Sequence, residues 1–337
     1  MKLNFEQIRS ITLGAAEVTC EADGIHFYRF NRSQRELYKV TSDDFYKKTF
    51  ATSGVKLQFV TDSQSLTLDV DITSASSRSY YAVDVFAGGK MVGSLDNLLP
   101  NMPEDYAEIT IPMGELRKTF CLGEGTKQVR VYLPWSVCTV IKSLELDDGA
   151  TVEAVKPSKK LLAFGDSITH GYDAQHPSGK YITKLAEALD AQEFNKAIGG
   201  EEFFPQLAQE ETLEDPDYIT VAYGTNDWSH STRESLIQRC GDMYSILSHK
   251  YPKAQIFAMT PIWRADWDLE KPVGLFHDVE AIIRDAVKDL PNVTVIRCFD
   301  VMPEDIHLCA DLRLHPNDTG FGYYFESLWN KLREVIK

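Results

Sequence analysis

Apolar and polar positions alternate along much of the first 150 residues. The segments 55–60 (VKLQFV), 66–72 (LTLDVDI) and 80–86 (YYAVDVF) carry a period of two. Half-buried strands require that period, because successive side chains point to opposite faces of a sheet. Segments 108–111, 128–133 and 140–146 extend the series, and turn residues such as Gly88-Gly89 punctuate it. No helical period longer than about ten residues stands out in this half. Short strands with regular turns predict a β-sandwich or jelly roll over residues 1–150.

After Asp147 the texture changes. The stretch 147–160 (DDGATVEAVKPSKK) is polar, carries Gly and Pro, and reads as a linker. A second domain is expected over residues 158–337. Segments 161–164, 218–223 (YITVAY), 255–260 and 293–297 read as buried strands. Between them, Tyr181, Ile182, Leu185, Ala186 and Leu189 fall at helical spacing. Leu236, Ile237, Cys240, Tyr244 and Leu247 predict a second helix, opened by Ser231 and Glu234 as a capping box. Phe276, Val279, Ile282, Ile283, Ala286, Val287 and Leu290 predict a third, and 320–337 a closing one. Alternating strands and helices mean a three-layer α/β domain with a mainly parallel sheet, and sites in such domains form at the carboxyl ends of strands.

Composition narrows the partners. A length of 337 residues suits two domains, and 43% hydrophobic with 25% charged residues describes a folded chain. Fifty acidic against 35 basic residues give a net charge of −15. That charge repels phosphate backbones and anionic lipid, so neither nucleic acid nor a membrane is expected as a partner. No run approaches the ~18 apolar residues of a membrane span. Residues 1–20 lack the apolar core of a secretory leader. The six cysteines form no CxxC pair and no zinc spacing, which predicts reduced thiols, a cytoplasmic location and no metal. Arg29, Arg32 and Arg35 read as a small solvated basic face.

The chemistry concentrates in residues 164–171 (FGDSITHG), which place Ser167 at the end of a strand between Gly165 and Gly171. A serine hydroxyl needs a base and an oxyanion site before it becomes a useful nucleophile. Thr169 stands where the nucleophile elbow GxSxG has glycine, and no Walker loop is present. Three further blocks follow in order: 195–200 (NKAIGG), 224–227 (GTND) and His315-Pro316-Asn317.

Together these blocks resemble the SGNH (GDSL-type) hydrolase superfamily over about residues 158–337. The resemblance implies a flavodoxin-like layer arrangement and ester hydrolysis without metal or organic cofactor. It makes Ser167 the nucleophile and His315 the general base. The backbone N–H groups of Ser167 and Gly200 and the Asn226 side-chain amide would form the oxyanion hole, with Gly199 an alternative donor. The family usually carries Asp three residues before the His; here that position is Leu312, and Asp311 lies four before. Either a one-residue bulge brings Asp311 to His315, or a backbone carbonyl orients a Ser-His dyad. Asp300 and Asp305 are more distant candidates.

A β-sandwich ahead of such a domain resembles the carbohydrate esterases of family two. That implies an O-acetylesterase acting on acetylated oligosaccharides derived from plant polysaccharides. Trp228, Trp263 and Arg264 are the candidate substrate-binding residues, the indoles as walls for a sugar ring, although core packing suits them equally. His170 and Tyr172 are candidates for the pocket mouth. Two alternatives stay open: a general short-chain or lipid esterase, and a carbohydrate-binding protein with a degenerate hydrolase domain. A homo-oligomer formed through the sandwich also stays open.

Overall fold

The computed structural model describes residues 1–112 and 116–336. Its N-terminal half holds two antiparallel sheets. One has the spatial order Thr12–Leu13, Lys56–Thr61, Lys127–Tyr132, Ala82–Ala87, Lys90–Asp96, with Glu153–Ala154 also pairing onto Lys56–Thr61. The other runs Glu17–Glu21, Gly24–Tyr28, Val137–Leu146, Ser65–Ser74, Arg117–Cys121. Alternation explains their packing. Along Ser65–Ser74, Leu66, Leu68, Val70 and Ile72 are buried, while Thr67, Asp69 and Asp71 are half-exposed. The buried set joins Leu57, Phe59, Val83, Val85, Val129 and Val131 from the opposite sheet in one apolar core.

Three expectations for this half need correction. Segment 108–111 is no strand; a 3-10 turn, Tyr106–Glu108, leads into it between Pro103 and Pro112. Two helices, Arg32–Thr41 and Asp43–Lys48, sit where only strands were expected. The first buries only Gln34 and Tyr38, too few for a visible apolar stripe, and is carried by a capping box between Asn31 and Gln34. Arg29 is not on a solvated face. It is 1% exposed, and its guanidinium donates to the carbonyls of Ala51 (2.6 Å), Asn195 (2.9 Å) and Ala197 (3.1 Å). A buried cation needs such a set of acceptors.

The C-terminal half is built on a five-stranded sheet, all parallel, in the order Ala191–Asn195, Lys159–Gly165, Tyr218–Ala222, Gln255–Met259, Val293–Ile296. Leu161, Leu162, Ala163 and Phe164 are all fully buried, which accounts for their unbroken apolar run. Helices pack in pairs, Arg233–Lys250 with Asp278–Val287 and Tyr181–Ala188 with Asp318–Leu332. Strand Ala191–Asn195 escapes an apolar search because it carries Glu193 and Asn195. Both are buried and paired, Glu193 with Lys180 (3.4 Å) and Thr183 (2.8 Å).

Helix ends also shift. Thr232 caps the long helix by accepting from the Ser235 N–H, whereas Ser231 closes the preceding helix. Ile237, expected on the apolar face, is 49% exposed. The closing helix starts at Asp318, capped by Asn317, and Lys337 lies outside the described residues. Among the described residues, no helix is long and apolar enough to cross a membrane.

The two halves share a seam. Tyr38 donates to Glu201 (2.6 Å), Lys48 to the Gly199 carbonyl (2.9 Å), and Lys196 to the Arg29 carbonyl (2.5 Å). Phe30, Tyr80, Tyr106 and Trp135 from the N-terminal half merge into the core around the parallel sheet.

Candidate active site

Strand Lys159–Gly165 ends directly at the turn that carries Ser167. Asp166 caps the short helix Ser167–His170, accepting from the Ile168 N–H at 3.0 Å. Burial pushes the Asp166 carboxyl up to about 6. Asn195, from the next strand, donates to the Thr169 carbonyl at 2.8 Å and braces the same helix.

The Ser167 Oγ lies 2.8 Å from His315 Nε2, and His315 Nδ1 lies 2.8 Å from Asp311 Oδ2. With Nδ1–H donated to the carboxylate, Nε2 is the acceptor for the serine hydroxyl. The four-residue spacing is absorbed at Leu312, whose φ of 52° places a leucine in the left-handed region. The other Asp311 oxygen accepts from the N–H groups of Arg313 (3.0 Å), Leu314 (2.7 Å) and His315 (3.0 Å). Those bonds define the loop and offset the strain at Leu312.

Electrostatics follow from this geometry. Burial alone would raise the Asp311 pKa, but the His315 ring and the backbone N–H groups hold it well below the ordinary carboxylate range. Burial lowers the His315 pKa; the Asp311 hydrogen bond and the charges of Asp173 and Asp311 overcome that, and its pKa is raised above 6.5. Asp173 is a second carboxylate at the imidazole, 3.6 Å from the same Nδ1. Asp173, Asp311 and His315 offer ligand atoms within 4.8 Å of one another, a spacing that also suits a cation. In this structure those groups already pair with each other and with Arg78.

The loop after Ala191–Asn195 brings up the two glycines. The Gly199 N–H donates to His170 Nδ1 at 3.3 Å, and a Cβ there would meet the Tyr172 ring at 2.4 Å. Gly200 is exposed, with a φ of 89°. Asn226 sits in helix Thr225–His230, which follows Tyr218–Ala222 through Gly224 (φ 115°). Its amide donates to the Glu201 carbonyl at 2.9 Å, next to Gly200. A cavity of about 230 Å³ adjoins this point, lined by Phe45, Gly200, Glu201, Phe203, Phe204 and Arg239 among others. Phe45 comes from an N-terminal helix that the sequence did not reveal.

The other candidates lie inside. Trp228 is fully buried, its indole N–H on the Gly274 carbonyl at 3.0 Å. Trp263 is buried as well, so neither indole has an open face for a sugar ring. Arg264 pairs with Asp266 (2.6 Å) and donates to the Thr225 carbonyl (3.1 Å) and Ser229 (3.1 Å). It braces the helix that carries Asn226. His170 is buried, 3.0 Å from the Trp135 carbonyl, and not at a pocket mouth. Sequence reasoning missed Asp173, Arg78, Tyr80 and the cavity. Only Asp173 lay close enough to the FGDSITHG block to draw notice.

Residues 163–322 match the GDSL-like Lipase/Acylhydrolase family. A search among curated proteins finds no match to the sequence. Among solved structures, a salicylyl-acyltransferase, SsfX3, from a tetracycline biosynthetic pathway superposes with a TM-score of 0.81 at 19% identity, covering 96% of this chain and 94% of that one. A family two carbohydrate esterase from Clostridium thermocellum, in complex with cellohexaose, gives 0.61 at 14%, covering 84% and 93%. The acetyl xylan esterase Est2A from the rumen bacterium Butyrivibrio proteoclasticus gives 0.57 at 17%, covering 85% and 91%. At these identities the likeness is one of fold alone: a parallel-sheet α/β region preceded by a β-rich one.

Proposed function

We propose that this chain, whose residues 163–322 form a GDSL-like lipase/acylhydrolase domain, is a serine esterase that removes O-acetyl groups from carbohydrate. The observation that carries the hydrolytic chemistry is the continuous relay from Ser167 through His315 to Asp311, 2.8 Å at each link. In this reading the Ser167 oxygen attacks the ester carbonyl while His315 Nε2 takes its proton. The carbonyl oxygen becomes an oxyanion, met by the N–H groups of Ser167 and Gly200 and by the Asn226 amide. Collapse breaks the bond to the sugar oxygen, which leaves with the proton from His315. Water then repeats the sequence on the acyl-serine and releases acetate.

The carbohydrate part of the proposal is supported by the fold likeness to the family two esterase and to the acetyl xylan esterase. The interior tryptophans lend it no support. A second reading is favoured by the cavity beside Gly200. Its Phe45, Phe203 and Phe204 lining exceeds what an acetyl group needs and suits an aromatic acyl group. The fold likeness to a salicylyl-acyltransferase points the same way. The proposal also takes residues 1–150 as an accessory domain and 158–337 as the catalytic one, on the strength of the polar stretch between them. A reducing compartment such as the cytoplasm is part of the same reading, and the six cysteines are unpaired.

The test is acetate release from acetylated xylo- and manno-oligosaccharides, beside 4-nitrophenyl acetate, butyrate and benzoate, with Ser167→Ala as control. Serine-dependent release from the sugars is expected. Benzoate turnover far above acetate, with inert sugars, would replace the carbohydrate reading by the aromatic-acyl one. Sugar binding without turnover on any ester would leave a binding protein.

A further inference from the structure

The turn that follows the Ser167 helix is held from outside its own domain. Asp173 is fully buried and sits at a φ of 71°, a conformation that a non-glycine residue adopts only when its surroundings enforce it. Four side chains of the N-terminal half converge on this turn. Arg78 grips the Asp173 carboxylate with two bonds, Nε at 2.7 Å and Nη2 at 3.2 Å. Tyr80 donates its hydroxyl to the same carboxylate at 2.5 Å. Tyr106 donates to the Asp173 carbonyl at 2.5 Å, and the Trp135 indole N–H to the Ala174 carbonyl at 2.8 Å.

What this turn presents is a carboxylate facing His315. The second Asp173 oxygen stands 3.6 Å from Nδ1, beyond hydrogen-bond length but well within electrostatic range. The Arg78 guanidinium lies over the Tyr172 ring at 5.4 Å, and that ring packs against His315 at 5.8 Å. A purely structural ion pair could sit anywhere along the seam. This one is stacked against the imidazole that bonds Ser167.

We propose that Arg78 of the N-terminal half holds Asp173 in place as a second carboxylate beside the His315 imidazole, so that this half is a working part of the catalytic centre and not an appendage. The inference rests on the proposed role of His315 as the general base. Asp173 and Arg78 are positioning residues: they act through His315 and touch no substrate. Their effects on the imidazolium oppose each other. Asp173 favours the charged ring and Arg78 disfavours it, against a background set by Asp311 and, on the Ser167 side, Asp166.

The experiment titrates His315 directly by NMR in the full chain, with the signal assigned by its loss in His315→Gln. Wild type is compared with Asp173→Asn and Arg78→Met. Asn keeps the shape of Asp and removes its charge, so the His315 midpoint should fall by about half a pH unit or more. Arg78→Met leaves the carboxylate without its cation, and the midpoint should rise. The acid limb of the pH profile for kcat/KM on 4-nitrophenyl acetate should move in the same directions.

An unmoved midpoint in Asp173→Asn, with activity merely reduced, would overturn the inference and leave a packing role. An unmoved midpoint in Arg78→Met would overturn the part assigned to Arg78. Each variant decides alone if the other does not fold. The titration needs no turnover, so the two proposals fail separately. A shifted midpoint in a protein without esterase activity would remove the esterase reading only, and serine-dependent hydrolysis with an unmoved midpoint would remove the Asp173 inference only.

Discussion

The two halves of the molecule reach the same imidazole by different routes. The parallel-sheet half delivers Ser167 and Asn226 from short helices at the ends of adjacent strands, so strand register sets their spacing, with Asn195 and Arg264 bracing the two helices. The N-terminal half delivers Arg78 and Tyr80 through a loop beyond Ser65–Ser74, and these meet their target only because the two halves pack together. In the first route the chemistry is local and tolerant of what surrounds it. In the second it depends on the whole seam.

This contrast is sharpest in rates. Ser167→Ala should remove ester hydrolysis almost entirely, by about 10⁴-fold or more in kcat, and Asp311→Asn should cost about 10³–10⁴ by leaving the imidazole in the wrong tautomer. If the seam only tunes the site, Arg78→Met will cost far less than either. Steady-state kinetics on 4-nitrophenyl acetate measure all three. A near-wild-type Asp311→Asn would break the comparison, because orientation of His315 would then come from Asp173 and the N-terminal half.

The next effect in size belongs to the proposed oxyanion site. Asn226→Ala should lower kcat by about 10²–10³, with KM little changed, because its amide meets charge that exists only in the transition state. A rise in KM with kcat unchanged would show that Asn226 grips the ground state instead. Trp135→Phe tests the seam by stability. It removes the donor to the Ala174 carbonyl in a fully packed setting, and about 2–3 kcal/mol of unfolding free energy should go with it. Equilibrium denaturation gives that value.

Legibility in the sequence divides along the same line. The FGDSITHG block, GTND and the late histidine were readable because each occupies one turn beside one strand, and a turn writes its requirements into consecutive residues. The sheet strands were readable where burial demanded unbroken apolar runs, as at 161–164, and not where polar residues are buried in pairs, as at Glu193 and Asn195. Leu312 was visible as a departure, but not its resolution by a left-handed residue. Asp173 stood close to the FGDSITHG block, but Arg78 was illegible in principle. Nothing local distinguishes an arginine that crosses to the other half from one on a solvated face, and Arg29 was misread for the same reason. Trp228 and Trp263 show the converse: position next to a motif said nothing about which way the side chain turns.

Glu201 offers the finest probe of the seam. Its carboxyl is buried between two tyrosine hydroxyls, Tyr38 of the N-terminal half at 2.6 Å and Tyr223 of the C-terminal half at 2.7 Å. Burial pushes its pKa up from 4.5 to about 8, only partly offset by the two hydroxyl donors. Because the folded pKa lies above the unfolded one, the folded state binds the proton more tightly. Stability is therefore complete below about pH 4.5, declines as pH rises toward 8, and is level above it. Glu201→Gln removes the ionisation while keeping an acceptor and a donor for the two hydroxyls. Thermal unfolding of the variant should match wild type near pH 4.5 and gain stability by pH 8.5, on the order of 1–2 kcal/mol after allowing for the neighbouring tyrosines. Asp227, raised to about 7 by the same burial, contributes a parallel slope that the substitution leaves in place. A variant less stable than wild type at pH 8.5 would reverse the interpretation. The seam would then be held by an ionised carboxylate gripped by both tyrosines, and the N-terminal half would be locked to the C-terminal half by charge at two places, Glu201 and Asp173.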